Sequence, residues 1–130
     1  MVKSLTKGLT SKVDKAKALF NYVRDTLGYS YYYNTHYGAT TTLKLKRGNC
    51  ADHSHLMVAM FRTAGFHARY VHGKCHFTSG EYTGHVWTQV KIDKTWVCAD
   101  AVSYRNSLGK IKNWNTKNYV VHGKYSSLPF

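Results

Sequence analysis

The segment of residues 47–62 constrains the fold most, because it carries the clearest helix start in the chain. Asn49 is a favourable N-cap residue, and Asp52 follows three positions later, where a carboxylate can complete a capping box. Apolar residues then recur at spacings of three and four, and Gly65 is a suitable C-terminal stop. The sequence therefore predicts a helix with Cys50 in its first turn.

Cys50 is a candidate nucleophile because of its place at this predicted helix start. Unpaired backbone N–H groups and the positive end of the helix dipole favour a thiolate there. A lone cysteine is nevertheless more often a small packing residue. The choice between these interpretations depends on whether the rest of the chain supplies a base and an orienting carboxylate.

Two alternating segments downstream supply both partners. Residues 84–90 and 96–102 are each typical of a strand, and the segment between them is short enough for a hairpin turn. His85 and Asp100 can then lie on adjacent antiparallel strands and share a face. Together with Cys50 they provide the nucleophile, base and orienting carboxylate of a catalytic triad.

Over residues 29–114 the chain resembles the transglutaminase-like cysteine peptidase superfamily. Within that superfamily it is most similar to the pseudomurein endoisopeptidases encoded by viruses and proviruses of methanogenic archaea. Accessory matches at residues 70–73 and 105–109 carry the narrower resemblance. The motifs that carry the broader one are Gly48-Asn49-Cys50-Ala51-Asp52, Arg62-Thr63-Ala64-Gly65-Phe66-His67-Ala68-Arg69-Tyr70-Val71, Gly84-His85-Val86-Trp87 and Trp96-Val97-Cys98-Ala99-Asp100.

The resemblance implies a fold, an activity and a set of site residues. The expected fold is a single papain-like α+β domain over residues 1–130, with the cysteine-bearing helix packed on an antiparallel sheet. The expected activity is hydrolysis of the alanine to ε-lysine isopeptide bond of pseudomurein, through a thioester on Cys50 with His85 and Asp100 as partners. A side chain upstream of the cysteine, Tyr33 or Asn34, is expected to help the Cys50 N–H bind the oxyanion.

No cofactor or metal is required by the sequence. The resemblance implies activity under reducing conditions and stimulation by divalent cations, although no acidic cluster suited to calcium is visible. The expected partner is a cell-wall peptide rather than nucleic acid or a membrane interior, and a monomer is expected. Because the sequence has no secretory signal pattern and no long apolar run, we expect synthesis in the cytoplasm and action at the archaeal cell wall after release.

Composition leaves other functions open. The 19 Lys and Arg against six Asp and Glu give a net charge of +13, which favours polyanions such as nucleic acid, an acidic wall polymer or a membrane surface. A solvated basic surface explains the same charge equally well. With three cysteines the chain is not a disulfide scaffold. A transglutaminase, an amidase acting on another bond and a nucleic-acid-binding module remain the alternative functions.

A zinc site is a weaker alternative. Residues two apart on a helix do not face each other, so Cys50, His53 and His55 cannot all reach one ion. The interpretation that follows is that His53 and His55 lie at the surface or beside the site and that Asp52 is a helix cap. The wider set of candidate ligands is Cys50, His53, His55, Cys75, His76 and Cys98.

The remaining segments predict the frame around these residues. Residues 11–28 read as a helix capped by Ser11, with an apolar stripe of Val13, Ala16, Phe20, Val23 and Leu27. The tyrosine-rich residues 29–38 could serve as core, as a carbohydrate or peptide platform, or as an oxyanion donor. The other predictions are an extended segment or loop at 39–46, a first strand at 66–73, a loop at 74–83 bordering the cleft, a second loop at 103–114 and a last strand at 119–122.

Overall fold

The computed structural model describes residues 2–29 and 38–127. Within them, helices and strands alternate in the first half and strands dominate the second. The helices are α1 (Val2–Thr6), α2 (Lys12–Thr26), α3 (Gly38–Leu45) and α4 (Cys50–Thr63). The strands are β1 (Gly28–Tyr29), β2 (Arg47–Gly48), β3 (Ala68–Phe77), β4 (Tyr82–Ile92), β5 (Thr95–Ala99) and β6 (Trp114–Tyr125).

The sheet is antiparallel with strand order β5-β4-β3-β6, while β1 and β2 form a separate short parallel pair. Helix α4 packs on β3 and β4, and α2 packs against α4. The core between them is formed mainly by apolar side chains, and the largest fully buried ones are Phe20, Phe61, Leu19, Met57, Val23 and Val58. The predicted α+β class, with a cysteine-bearing helix on an antiparallel sheet, is confirmed.

The predicted helix over residues 11–28 is present as α2, with a different buried stripe. The Ser11 hydroxyl accepts a hydrogen bond from the Asp14 N–H at 3.4 Å, as the capping pattern predicts. Val13 is 40% exposed, whereas Leu19 is fully buried. The observed stripe follows the 3.6-residue period more closely than the predicted one, and its buried members are Ala16, Leu19, Phe20 and Val23. The first residue of the predicted stripe faces solvent.

Residues 39–46 form most of helix α3 rather than the predicted extended segment or loop. The threonine run favours strands only weakly, and tertiary packing overrides such a preference. Thr42 is fully buried, and α3 packs against α4. The prediction failed because this burial depends on a helix elsewhere in the chain.

The hairpin of β3 and β4 is longer than predicted. Strand β3 continues to Phe77 and β4 begins at Tyr82, so that most of the predicted loop at residues 74–83 is paired strand. Cys75 is fully buried, and the rings of His76 and Tyr82 stack across the strands with centroids 4.0 Å apart. These cross-strand contacts extend the pairing beyond the reach of local sequence patterns.

The predicted hairpin of β4 and β5 forms, but its turn is shorter than the predicted segment 91–95, and β5 ends at Ala99 rather than at residue 102, so that Asp100 follows the strand. Its two-residue turn is Asp93-Lys94, and Asp93 has a φ of 56°, which is typical of a tight hairpin turn. The last strand also forms, but β6 begins at Trp114 and pairs with β3 at the edge of the sheet. None of the helices in residues 2–29 and 38–127 is long and apolar enough to span a membrane.

Candidate active site

The start of α4 is built as its capping pattern predicts. Cys50 is the first residue of the helix, and the Asn49 side-chain oxygen accepts a hydrogen bond from the Asp52 N–H at 2.9 Å. At the other end Gly65 has a φ of +94°, a conformation that glycine adopts without strain. Both predicted helix boundaries are therefore confirmed, and Cys50 lies in the first turn.

Gly48 and Asp52 fix the approach of the chain to this helix. A Cβ atom on Gly48 would lie 2.7 Å from the Cβ of Asp52, so no other residue fits without displacement. The Asp52 carboxylate is fully buried and accepts a hydrogen bond from the Gly38 N–H at 2.8 Å. Asp52 therefore ties α3 to α4, a role beyond the predicted helix cap.

His85 and Asp100 meet at the end of the β4 and β5 pair. The register that pairs Thr88 with Ala99 brings Asp100, the residue after β5, beside the His85 side chain. His85 Nε2 lies 2.6 Å from Asp100 Oδ2, and both side chains are buried. The structure thus brings together the two residues that the sequence proposed as base and orienting carboxylate.

The electrostatics of this pair favour an imidazolium. Burial lowers the pKa of His85, but the charge and hydrogen bond of Asp100, reinforced by the neighbouring Cys50, raise it to about 10. Burial raises the pKa of Asp100, but the charge and hydrogen bond of His85 outweigh it, and the result is a lowered pKa. Because Cys50 also contributes to the raised pKa of this imidazole, it lies near the pair of His85 and Asp100.

Trp114 belongs to the site, although no pattern in the chain around it predicts this role. Its indole Nε1–H donates to Asp100 Oδ2 at 2.8 Å, and this hydrogen bond helps to lower the pKa of the carboxyl group. The rings of Phe77 and Trp87 lie 5.1 and 5.8 Å from the His85 ring, centroid to centroid. Aromatic rings therefore surround the ion pair and exclude water from it.

The structural role of Asn106 was also not predicted from sequence. It is fully buried, its side-chain N–H donates to the Asp100 backbone oxygen at 3.0 Å, and its side-chain oxygen accepts from the Lys112 N–H at 2.8 Å. One amide side chain thereby holds both ends of the loop that follows Asp100. An asparagine in a loop is too common for this role to be read from sequence.

His53 is a buried residue of the helix rather than a surface one, since it is only 2% exposed. Its Nδ1 lies 2.8 Å from the Asn49 carbonyl oxygen, so this nitrogen carries the proton and donates. Burial lowers the pKa of His53. His55 is half-buried, and its Nδ1 lies 2.8 Å from the Tyr70 hydroxyl. Each histidine thus makes one hydrogen bond within the fold, whereas the buried His53 Nε2 has no partner among the described residues.

The other two cysteines differ from Cys50 in their surroundings. Cys75 is buried and Cys98 is partly buried, and all three cysteines are free. Burial raises the pKa of Cys75 to about 12 and also raises the pKa of Cys98. Both groups stay as thiols near neutral pH. No group of three or more His, Cys, Asp and Glu side chains within residues 2–29 and 38–127 is placed to hold a metal ion.

The predicted oxyanion donors, Tyr33 and Asn34, lie outside the described residues. The other predicted oxyanion donor, the backbone N–H of Cys50, is within the described part of the chain, at the start of α4.

Solved structures similar to this one share its fold. A candidate cysteine protease from Cytophaga hutchinsonii superposes with a TM-score of 0.75 at 19% identity, over 95% of this chain and 39% of that one. A TGase superposes with a TM-score of 0.64 at 22% identity, over 89% of this chain and 32% of that one. Calcium-bound LapG of Legionella pneumophila superposes with a TM-score of 0.59 at 12% identity, over 98% of this chain and 80% of that one.

The chain thus spans about two fifths of the first of these structures and a third of the second. No curated protein sequence matches it significantly. The narrower similarity to pseudomurein endoisopeptidases has no support among these structures and stays a prediction.

The family model agrees with the fold. The model of the transglutaminase-like superfamily matches residues 1–101, which is most of the chain and includes Cys50, His85 and Asp100. The predicted superfamily is confirmed. The chain belongs to the transglutaminase-like superfamily.

Proposed function

We propose that this domain is a cysteine peptidase that cleaves an amide bond through a thioester on Cys50. The observation that carries the proposal is the buried pair of His85 and Asp100, 2.6 Å apart, with Cys50 close enough to raise the pKa of the same imidazole. A protonated imidazole beside a cysteine at a helix start favours the thiolate, which is the reactive form.

The first half of the reaction forms the thioester. The Cys50 sulfur attacks the amide carbonyl, and the Cys50 backbone N–H binds the oxygen as it gains negative charge. His85 then gives its proton to the leaving nitrogen, and the C–N bond breaks. Asp100 keeps the imidazole oriented and compensates its charge throughout.

The second half of the reaction releases the acyl group. His85, now neutral, takes a proton from an incoming water while the water oxygen attacks the thioester carbonyl. The C–S bond breaks, and the thiolate and imidazolium return. An amine in place of water would give a new amide, so transglutaminase chemistry is the alternative at the same site.

For the substrate we propose the alanine to ε-lysine isopeptide bond of pseudomurein. The support is the sequence similarity to pseudomurein endoisopeptidases, and the charge of +13 suits an acidic wall polymer. The corresponding proposal for location is synthesis in the cytoplasm and action at the archaeal cell wall on release. The cell-wall peptide is then the partner, the protein acts as a monomer, and it needs reducing conditions but no bound cofactor.

For the domain organisation we propose that residues 1–130 form one catalytic domain. The core of α2, α4 and the sheet is continuous, which supports this proposal. A nucleic-acid-binding module remains the non-enzymatic alternative, supported only by the basic charge.

The test is cleavage of a short peptide that contains an alanine to ε-lysine isopeptide bond, under reducing conditions and followed by mass spectrometry. The parent should release the two expected fragments, and Cys50→Ala should release none. Cleavage by both proteins would contradict the role of Cys50.

A parallel reaction with excess primary amine separates hydrolysis from transfer. If the amine appears in the product in place of water, the transglutaminase alternative is correct. If neither reaction occurs while a thiol-reactive peptide analogue still labels Cys50, the proposed substrate is wrong and the nucleophile stands.

A further inference from the structure

A second concave surface lies at the far end of the sheet from the active site. It is a groove of about 650 Å³ between the end of α4, the start of β3 and the ends of β4 and β6. We call it the basic groove, and its lining includes the cationic residues Arg62, Arg69, Lys91 and Lys124 and the aromatic residues Trp96 and Tyr125.

Positive charge in the basic groove is not balanced by neighbouring carboxylates. No Asp or Glu is among the described residues that line it. Asp93, two residues beyond Lys91, is engaged elsewhere, because its carboxylate pairs with Lys12 at 3.2 Å. Four cations around one concavity repel each other, and an anion bound among them would relieve that repulsion.

Arg69 is held in place before any ligand arrives. Its guanidinium lies 3.9 Å from the centre of the Trp96 ring, and its Nε donates to the Gln89 side-chain oxygen at 2.8 Å. No hydrogen bond from its two terminal nitrogens is found to the described residues. A guanidinium fixed in this way presents a planar fork of N–H groups that matches carboxylate and phosphate oxygens.

Arg62 stabilises the walls of the basic groove instead of facing a ligand. Its guanidinium donates to the backbone oxygens of Ala68 at 3.0 Å and Ser126 at 2.8 Å. These bonds join the end of α4 to the start of β3 and the segment after β6. The shape of the groove is therefore set by hydrogen bonds within the fold.

We propose that the basic groove is a binding site for a multivalent anion that carries its charge on phosphate or carboxylate groups. Arg69 supplies the oriented donors, and Lys91 and Lys124 supply further positive charge. Because Arg69 and Lys91 both lie against the Trp96 ring, recognition depends on charge more than on stacking of a ligand ring. Lys91 lies six residues after His85 on β4, so the groove is about 20 Å from the active site. The site is independent of Cys50 and of the proposed peptidase activity.

The test is isothermal titration calorimetry with inorganic tripolyphosphate in one arm and citrate in the other, at about physiological salt. The parent should bind at least one of them. Lys91→Gln/Lys124→Gln should weaken binding by about tenfold or more, because two charged contacts are lost. Binding of tripolyphosphate alone would identify phosphate as the recognised group, and binding of citrate alone would identify carboxylate.

The matched control is Lys112→Gln/Lys117→Gln, which removes the same charge from exposed positions at the opposite end of the sheet from the basic groove. It should change the affinity less than about twofold, since charges beyond a Debye length are screened. Equal weakening by both double variants, or no binding by the parent, would overturn the proposal.

Arg69→Lys tests the donor geometry while keeping the charge. Loss of the planar fork should weaken binding by roughly fivefold. Circular dichroism and the unfolding midpoint of each variant would show that the fold is retained. An Arg69→Lys protein that binds as tightly as the parent would contradict the assigned role of Arg69.

Discussion

At one end of strand β4, His85 is buried against a carboxylate, whereas at the other end Lys91 lies in an open groove among further cations. The buried cation has Asp100 at 2.6 Å, and Asp100 has Trp114 at 2.8 Å. The groove cations have no carboxylate among the described lining residues. Strand β4 therefore carries a compensated charge, His85, near its start and an uncompensated charge, Lys91, near its end.

The two ends of β4 differ because one is buried and the other is exposed to solvent. A buried charge is tolerated only with a partner, because desolvation is costly, whereas an exposed charge is stabilised by water alone. At the active site the partners are built into the fold and set the protonation state for catalysis. In the basic groove the fold supplies one sign of charge only, and a ligand can supply the other.

Asp100→Ala should lower the free energy of unfolding more than any other substitution considered below. It leaves the His85 imidazole and the Trp114 N–H buried without their acceptor, so the free energy of unfolding should fall by about 3–5 kcal/mol. Urea unfolding measures it. The matched control is Asp93→Ala, which breaks an ion pair whose side chains are 65% and 77% exposed and should change stability by less than about 1 kcal/mol. Equal losses in the two variants would contradict the distinction.

Raising the pH should destabilise the protein through His85. The pKa of His85 in the folded protein is about 10, above its ordinary value of 6.5. Its stabilising contribution is therefore fully present below 6.5 and is lost as the pH rises towards 10. The loss should reach a few kcal/mol and should be absent from His85→Gln. Urea unfolding across this range measures both proteins, and parallel curves would contradict the assignment.

Trp114→Phe should have an intermediate effect. The ring is retained, but the hydrogen bond to Asp100 is lost, at a cost of about 1–3 kcal/mol. The pKa of Asp100 is lowered in the folded protein, so its contribution to stability is lost as the pH falls through the folded value. Without the indole donor the pKa of Asp100 in the folded protein rises, so that loss should be smaller and should be complete at a higher pH. Acid unfolding of the variant and the parent measures the shift, and coincident curves would exclude the role of Trp114.

The smallest change in stability is expected for substitutions in the basic groove. Lys91→Gln/Lys124→Gln removes charges that make no ion pair with the described residues, so stability should change by less than about 0.5 kcal/mol. A loss comparable to that of Asp100→Ala would mean that these lysines belong to the fold rather than to a ligand site. Urea unfolding under the same conditions decides between them.

The parts of the site that sequence predicted are those with local signals. The cap of α4, the place of Cys50 and the β4 and β5 hairpin each depend on a few neighbouring residues. Helix α3, the bond from Trp114 to Asp100 and the loop contacts of Asn106 depend on residues far apart in the chain. Such contacts leave no periodic or spacing signal, and the basic groove assembles its cations from four separate elements for the same reason.

The measurement that tests the central claim most directly is alkylation of the three cysteines with iodoacetamide at about pH 6, mapped by mass spectrometry for the parent and for His85→Gln. The account predicts that Cys50 reacts at least about tenfold faster than Cys75 and Cys98, and that His85→Gln removes most of this advantage. Equal reactivity of the three cysteines, or a Cys50 that reacts as fast without His85, would contradict the assignment of Cys50 as a nucleophile activated by His85.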